Sequence, residues 1–171
     1  MTALAEAEVE YADKTSPSVY VKFAVIDAKG RFHVNAEKGT YVVIWTTTPW
    51  TLPANLAIAV NPELKYRIVK TPAGDLIVSE ELLKPCMEKF GFKEGVYEIA
   101  KGAWTGEELE GMVCMHPFID RESRVILGEH VTTAAGTGGG HIAPGHGQDD
   151  YELGLKYGLG KVCLAPACQR I

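Results

Sequence analysis

Residues 40–47, TYVVIWTT, are the strongest constraint in this 171-residue chain: every one of the eight is β-branched or aromatic, and none is charged. Such a run fits a strand buried on both faces, and so a central strand with neighbours on each side. Pro49 and Pro53 end it, and LAIAV (56–60) follows as another strand. VYVKFAVID (19–27) alternates as a strand, and AKG then turns into RFHV, which predicts a hairpin. KYRIVK and DLIVS flank a Pro-Ala-Gly turn as a second hairpin, and shorter strands are expected in VYEIAKG, EGMVCMHP and SRVILGEHV.

Two segments read as helices. SEELLKPCMEKFG (79–91) has Ser79 placed as N-cap, acids in its first turn and Gly91 past its end, while Pro85 must kink it or delay its start. QDDYELGLKYG (148–158) has helical apolar spacing from Gln148. The expected architecture is mainly β with peripheral α-helices, with a closed barrel as one arrangement. Residues 1–16, rich in Ala, Glu and Thr, read as a linker, and residues 17–171 as a single domain.

Composition narrows the function. A net charge of −5 argues against neutralising many phosphates along a nucleic acid, but leaves room for contact with a nucleic-acid end. Nothing approaches the roughly 18 consecutive apolar residues of a membrane span, so a soluble, cytoplasmic protein is expected. Cys86, Cys114, Cys163 and Cys168 contain no Cys-x-x-Cys pair and read as reduced thiols.

Two stretches carry candidate chemistry. GTGGGHIAPGHGQDDY (136–151) crowds glycines, His141, His146, Asp149 and Asp150 together. It lacks the Gly-Lys-Ser/Thr ending of a phosphate loop. A metal site on His141, His146 and Asp150 is open on residue type, although the spacing matches no known ligand pattern. Asp149 and Asp150 fall in the first turn of the expected helix, where capping explains either, and adjacent helix positions point about 100° apart, so only one should face the same pocket as His141. WTTTPWTLPAN (45–55) gathers four threonines at a strand end, where hydroxyls offer neutral donors and acceptors suited to a ribose or a terminal base.

Taken together, WTTTPWTLPANLAIAVNP and GTGGGHIAPGHGQDDYELGLKYGL resemble the two signature regions of the editing (connective-peptide) domains inserted into isoleucyl-tRNA synthetases, and AEVEYADKTSPSVYVKF resembles that family's lead-in. Related valyl and leucyl domains carry a Thr-Arg-Pro segment where this chain has Thr47-Thr48-Pro49. Family members commonly read Gly-Thr-Gly-Ala/Cys-Val-His-Thr where this chain has Gly139, Gly140 and Ile142 around His141.

The resemblance implies a β-barrel-like editing domain, excised from a larger synthetase, that hydrolyses valyl-tRNA(Ile), with valyl-adenylate as a second candidate substrate. A selectivity pocket separates valine from isoleucine by only about 1–3 kcal/mol, a limit for which these synthetases are themselves the worked case. By resemblance, Asp150 holds the substrate ammonium and His141 lines the wall that excludes isoleucine. Thr47 and Thr48, with Thr46 and Asn55 behind them, contact ribose, adenosine or water. Trp50 stacks on a base, Gly138 and Gly139 let backbone approach the ligand, and His146 borders the pocket. No metal and no cofactor are expected. The implied partners are the tRNA(Ile) 3′ end and the rest of the synthetase, with the chain itself monomeric. A free-standing trans-editing deacylase and a noncatalytic acceptor-end binding module are the competing readings.

Overall fold

The charge-free run does form a strand with two buried faces. In the computed structural model, which describes residues 17–160, β1 is Val19–Asp27 and β2 is Thr40–Thr46, paired antiparallel. Val42 and Ile44 of β2 point into the main core with Phe23, Ile58, Ile68 and Val125, whereas Val43 points to the opposite face. A charge at Val42, Val43 or Ile44 would be stranded on one side or the other.

The remaining strands are β3 (Ala57–Val60), β4 (Lys65–Thr71), β5 (Gly74–Ser79), β6 (Glu98–Ile99), β7 (Trp104–Thr105), β8 (Val113–Met115), β9 (Glu122–Leu127) and β10 (Gly139–Ile142). They form one sheet in the order β10-β3-β9-β8-β1-β2-β5-β4-β6, with β7 also on β4. The β2–β5 and β3–β9 pairs are parallel and the others antiparallel. The sheet curls around the Phe23 core but remains open, so the closed barrel is not formed.

Helices cover the outer face in two places. Helix α1 (Leu83–Lys89) seats Leu83, Cys86 and Met87 on Val43, Val69, Leu76 and Val78. Helix α3 (Gln148–Lys156) sits with Leu153 and Tyr157 beside Ala57, Ala59 and Ile126. Alanines on that face of β3 bring the helix close, and Gly154 packs against Pro144. The Tyr157 hydroxyl, just past the helix, donates to Glu110 (2.6 Å) and accepts from the Leu127 amide (3.2 Å). A short helix α2 (Gly106–Leu109) opens on a capping box between Thr105 and Glu108.

Two expectations change. RFHV is not a strand: the chain turns at Lys29 (φ 51°) and Gly30 (φ 74°) as expected, but both edges of β1 are taken, by β2 and β8, so RFHV has no edge of β1 to pair with. Ser79 ends β5 and is not a cap, and α1 opens four residues later after Leu82, the delayed start that Pro85 allows when it occupies the first turn, where its missing N–H has no helical partner. Residues 1–16, expected as a linker, lie outside the described residues, as do Cys163 and Cys168. Cys86 and Cys114 are buried free thiols whose burial pushes their pKa up to about 11 and about 12.

The gap between β10 and β2 is spanned by residues 136–139. Thr137 donates its hydroxyl to the Val43 carbonyl (2.7 Å) and accepts the Ser79 amide at its own carbonyl (2.8 Å). The buried Tyr66 hydroxyl, its pKa raised to about 12 by burial, donates to the Gly138 carbonyl (2.6 Å). Gly138 has φ 78°, and a Cβ there would overlap that of Ser79. Gly138→Ala is therefore expected to lower unfolding free energy by at least about 2 kcal/mol in urea titration, from left-handed strain of about 1 kcal/mol plus overpacking. Gly95→Ala, with φ 89° and nothing within 4 Å, should show the strain alone. Equal losses at the two positions would contradict the close crossing.

Candidate functional site

The end of β2, the start of β10 and the N-terminus of α3 meet at a cleft of about 270 Å3. It is lined by Trp45, Thr46, Thr48 and Thr51 on one side and by Gly140, His141, His146 and the 147–150 segment on the other. Wider surface grooves occur beside α1 and along α3. Convergent polar chemistry rather than size distinguishes this cleft.

The threonines are presented by a short 3-10 helix, Pro49–Ala54, that directly follows β2. Pro49 suits its first position, where no amide donor is needed. Thr46 Oγ1 accepts the Thr48 amide (3.1 Å) and lies 3.2 Å from Thr48 Oγ1, which in turn lies 3.5 Å from Thr51 Oγ1. Thr51 donates its hydroxyl to the Thr48 carbonyl (2.9 Å) and lies 3.0 Å from His141 Nε2. A hydroxyl has one proton, so with Thr51 donating to Thr48, Nε2 must carry the hydrogen toward Thr51. His141 Nδ1 is then an unprotonated acceptor, and it is buried without a hydrogen-bond partner.

His141 stands on β10, whose pairing with β3 places it across from Ile58. Burial lowers its pKa below the ordinary 6.5, opposed by the nearby Asp150 carboxylate. The wall it forms is neutral imidazole at neutral pH. Asp150 is the third residue of α3, where the helix dipole favours a carboxylate. Its Oδ2 accepts the Ala143 amide (2.8 Å), which ties the helix start to the end of β10 across the Pro144–Gly145 turn.

The sequence candidates divide accordingly. Thr46, Thr48, His141, His146 and Asp150 border the cleft together. Thr47, exposed between Thr46 and Thr48, is not among the lining residues. Asn55 is fully buried, donating to the Ala57 carbonyl (2.8 Å) and accepting from Ser123 (2.7 Å), so its amide belongs to the framework. Gly138 and Gly139 lie behind the cleft, against Ser79 and the Val43 carbonyl, and it is Gly140 that reaches it. Trp50 is 61% exposed and outside the lining.

Neither aspartate caps α3, because the N-cap is Gly147. Both aspartates border the cleft, Asp149 from an exposed rim shared with the next groove, because the shallow cleft spans the helix end. Thr51 was missed: its place three residues after Thr48 matters only once the segment is helical. Among the described residues, no three His, Cys, Asp or Glu side chains are grouped to hold a metal ion, and no helix is long and apolar enough to cross a membrane.

No protein-family model matches the chain. The isoleucine–tRNA ligase of Moorella thermoacetica is 54% identical over 158 residues, 92% of this chain and 16% of that protein. That of Desulforamulus reducens is 57% identical over 170 residues, 99% of this chain and 17% of that protein. The chain thus spans about a sixth of the length of the curated relatives it matches. Among solved structures, the Plasmodium knowlesi cytosolic leucyl-tRNA synthetase editing domain superposes with a TM-score of 0.67 at 16% identity, covering 82% of this chain and 62% of that one. The Plasmodium falciparum counterpart gives 0.67 at 14% identity, covering 82% and 66%.

A buried neutral histidine has a measurable consequence. The folded-state pKa of His141 lies below its unfolded value, as does that of His116, which burial also lowers. The unfolded chain therefore binds more protons, and this stabilisation is complete above about pH 6.5 and is lost as pH falls through the folded pKa values. Stability measured by urea unfolding should fall as pH drops below about 6.5, with a shallower slope in His141→Gln. An unchanged slope in that variant would mean that the pKa of His141 is the same in the folded and the unfolded chain.

Proposed function

The chain is homologous to one segment of the isoleucine–tRNA ligases and has the fold of the leucyl-tRNA synthetase editing domains, and from that premise we propose that it hydrolyses the ester of valyl-tRNA(Ile). The observation that carries this reading is the joining of the Asp150 carboxylate, a neutral histidine and a relay of threonine hydroxyls in a single cleft.

The substrate places a free α-ammonium, a small branched side chain and an ester carbonyl within a few bonds of the terminal ribose. Asp150 binds the ammonium: one carboxylate oxygen is taken by the Ala143 amide, which orients the group, and the other is left for the substrate. The His141 ring and Thr51 form the wall beside the side chain. Because Thr51 fixes the ring through Nε2, the wall cannot swing aside for an extra methylene, and a rigid clash adds to the weak selectivity of a pocket that merely fits.

Thr48, exposed at the cleft mouth and linked to Thr46 and Thr51, donates toward the carbonyl oxygen or holds the water. Water adds to the carbonyl carbon, the tetrahedral oxyanion collapses, and the carbon–oxygen bond to ribose breaks. The ribose oxygen takes a proton and valine leaves as the free acid. The neighbouring ribose hydroxyl assists, so the reaction as proposed uses water alone, with no metal, cofactor or covalent nucleophile. The adenine of the tRNA end lies toward the exposed face of Trp50, where stacking contributes without base-specific hydrogen bonds. With a net charge of −5, the chain takes only this single-stranded end, and the rest of the synthetase holds the tRNA body. Valyl-adenylate shares the same ammonium and side chain and is the second substrate of this reading.

The test is deacylation of valyl-tRNA(Ile) and isoleucyl-tRNA(Ile) by this chain and its Asp150→Asn variant, with a chelator present. Asparagine keeps an acceptor for the Ala143 amide and removes the charge, so the expected loss is about tenfold to a hundredfold, the size of one charged hydrogen bond. Faster loss of valine than of isoleucine, removed by the substitution, supports the reading. Binding of the tRNA end without deacylation in this chain and in a full-length ligase carrying it would instead make it a noncatalytic module.

A further inference from the structure

The 3-10 helix that presents the threonines is a poor structure by itself, with six residues and prolines at its first and fifth positions. Side chains of the β8–β9 hairpin meet it from behind. Arg121 Nη2 donates to the Pro53 carbonyl (2.6 Å), and Ser123 donates to the Asn55 side chain (2.7 Å). His116, 3% exposed, lies with Nε2 2.8 Å from the Leu52 carbonyl, while the amides of Phe118 and Ile119 approach its Nδ1 at 3.3 and 3.2 Å.

These partners determine the imidazole. A carbonyl only accepts, so Nε2 carries the hydrogen, and Nδ1 accepts from backbone donors and must be bare. The ring is held edge-to-face by Phe23 at 5.8 Å and Phe118 at 4.5 Å between centroids. One side of the histidine is thus bound to the hairpin loop and the other to the turn carrying Thr48 and Thr51.

We propose that His116 is a positioning residue for the threonine cradle: through the Leu52 carbonyl it fixes the 3-10 helix so that Thr51 meets His141 Nε2 and Thr48 faces the cleft. Its effect on catalysis rests on the hydrolytic reading above, whereas its effect on the turn does not. Sequence offered no signal for it, since a histidine before Pro117 in a hairpin loop looks like an ordinary surface residue.

Two amide substitutions separate the halves of the ring. In His116→Gln, the side-chain amide reaches the Nε2 position and donates to Leu52. In His116→Asn, the side-chain oxygen replaces Nδ1 and keeps the loop bonds but cannot reach Leu52. The expected result is valyl-tRNA(Ile) deacylation within about threefold of the parent for Gln and at least about tenfold lower for Asn. Amide hydrogen exchange at Thr51, whose N–H bonds the Thr48 carbonyl (3.1 Å), should accelerate only in Asn. The reverse order, or parental behaviour in both variants, overturns the proposal.

If the parent shows no deacylation, the hydrolytic reading fails, and unaltered exchange at Thr51 in the Asn variant separately overturns the role of His116. If that variant does not fold, the parent decides the matter by nitrogen-15 imidazole spectroscopy. A protonated Nε2 with a bare Nδ1 is expected, and the opposite tautomer overturns the proposal.

Discussion

The crossing of residues 136–139 beneath β2 is the constraint on which the rest of the structure depends. The curled sheet leaves a gap between β10 and β2, and the Thr137 hydroxyl spans it to the Val43 carbonyl. The chain passes so close to Ser79 and Val43 that only glycine fits at 138. This crossing brings β10 alongside the end of β2, and with it His141 to within hydrogen-bonding distance of Thr51. β3, which follows the threonine stretch directly, also pairs with β10, so the crossing and this pairing together hold the two unusual stretches against each other.

The site that results sets neutral dipoles beside the Asp150 carboxylate, with Asp149 on its exposed rim. Burial keeps His141 neutral, and the threonines bond chiefly to one another and to backbone, so the polar groups are oriented before any ligand arrives. Asp150 is the exception, held by a backbone amide at a helix N-terminus, where its negative charge is stabilised without a cation. That arrangement suits a ligand that brings its own positive charge, as an aminoacyl ester does. The outer frame, from the β8–β9 hairpin through His116 and Arg121, prevents a proline-rich turn from loosening that geometry.

Much of the fold was legible because the signals were local. TYVVIWTT, VYVKFAVID and LAIAV carry strand character in β-branching and alternation, and α3 begins at Gln148 as its periodicity predicts. RFHV failed because its alternation resembles that of a strand, while both edges of β1 are taken by β2 and β8. At the site, Asp150, His141 and Thr48 were legible as chemistry-bearing residues in a recognisable pattern. Asn55, in the same pattern, turns out to bond Ser123 of β9, sixty-eight residues away, and no local reading reveals that partner. Thr51 and His116 were illegible for the same reason: each matters through a contact made only after the sheet has curled.

The sequence by itself determined most of the strands and the start of α3, that the sheet has a charge-free central strand, and which family the chain resembles, because β-propensity, periodicity and motif are properties of neighbouring residues. The tertiary structure alone decided that the sheet stays open and that Thr51 sets the tautomer of His141. It also decided that Gly140, and neither Gly138 nor Gly139, reaches the cleft. Those outcomes depend on hydrogen bonds and close approaches between residues dozens of positions apart, and such distances exist only once the chain has folded.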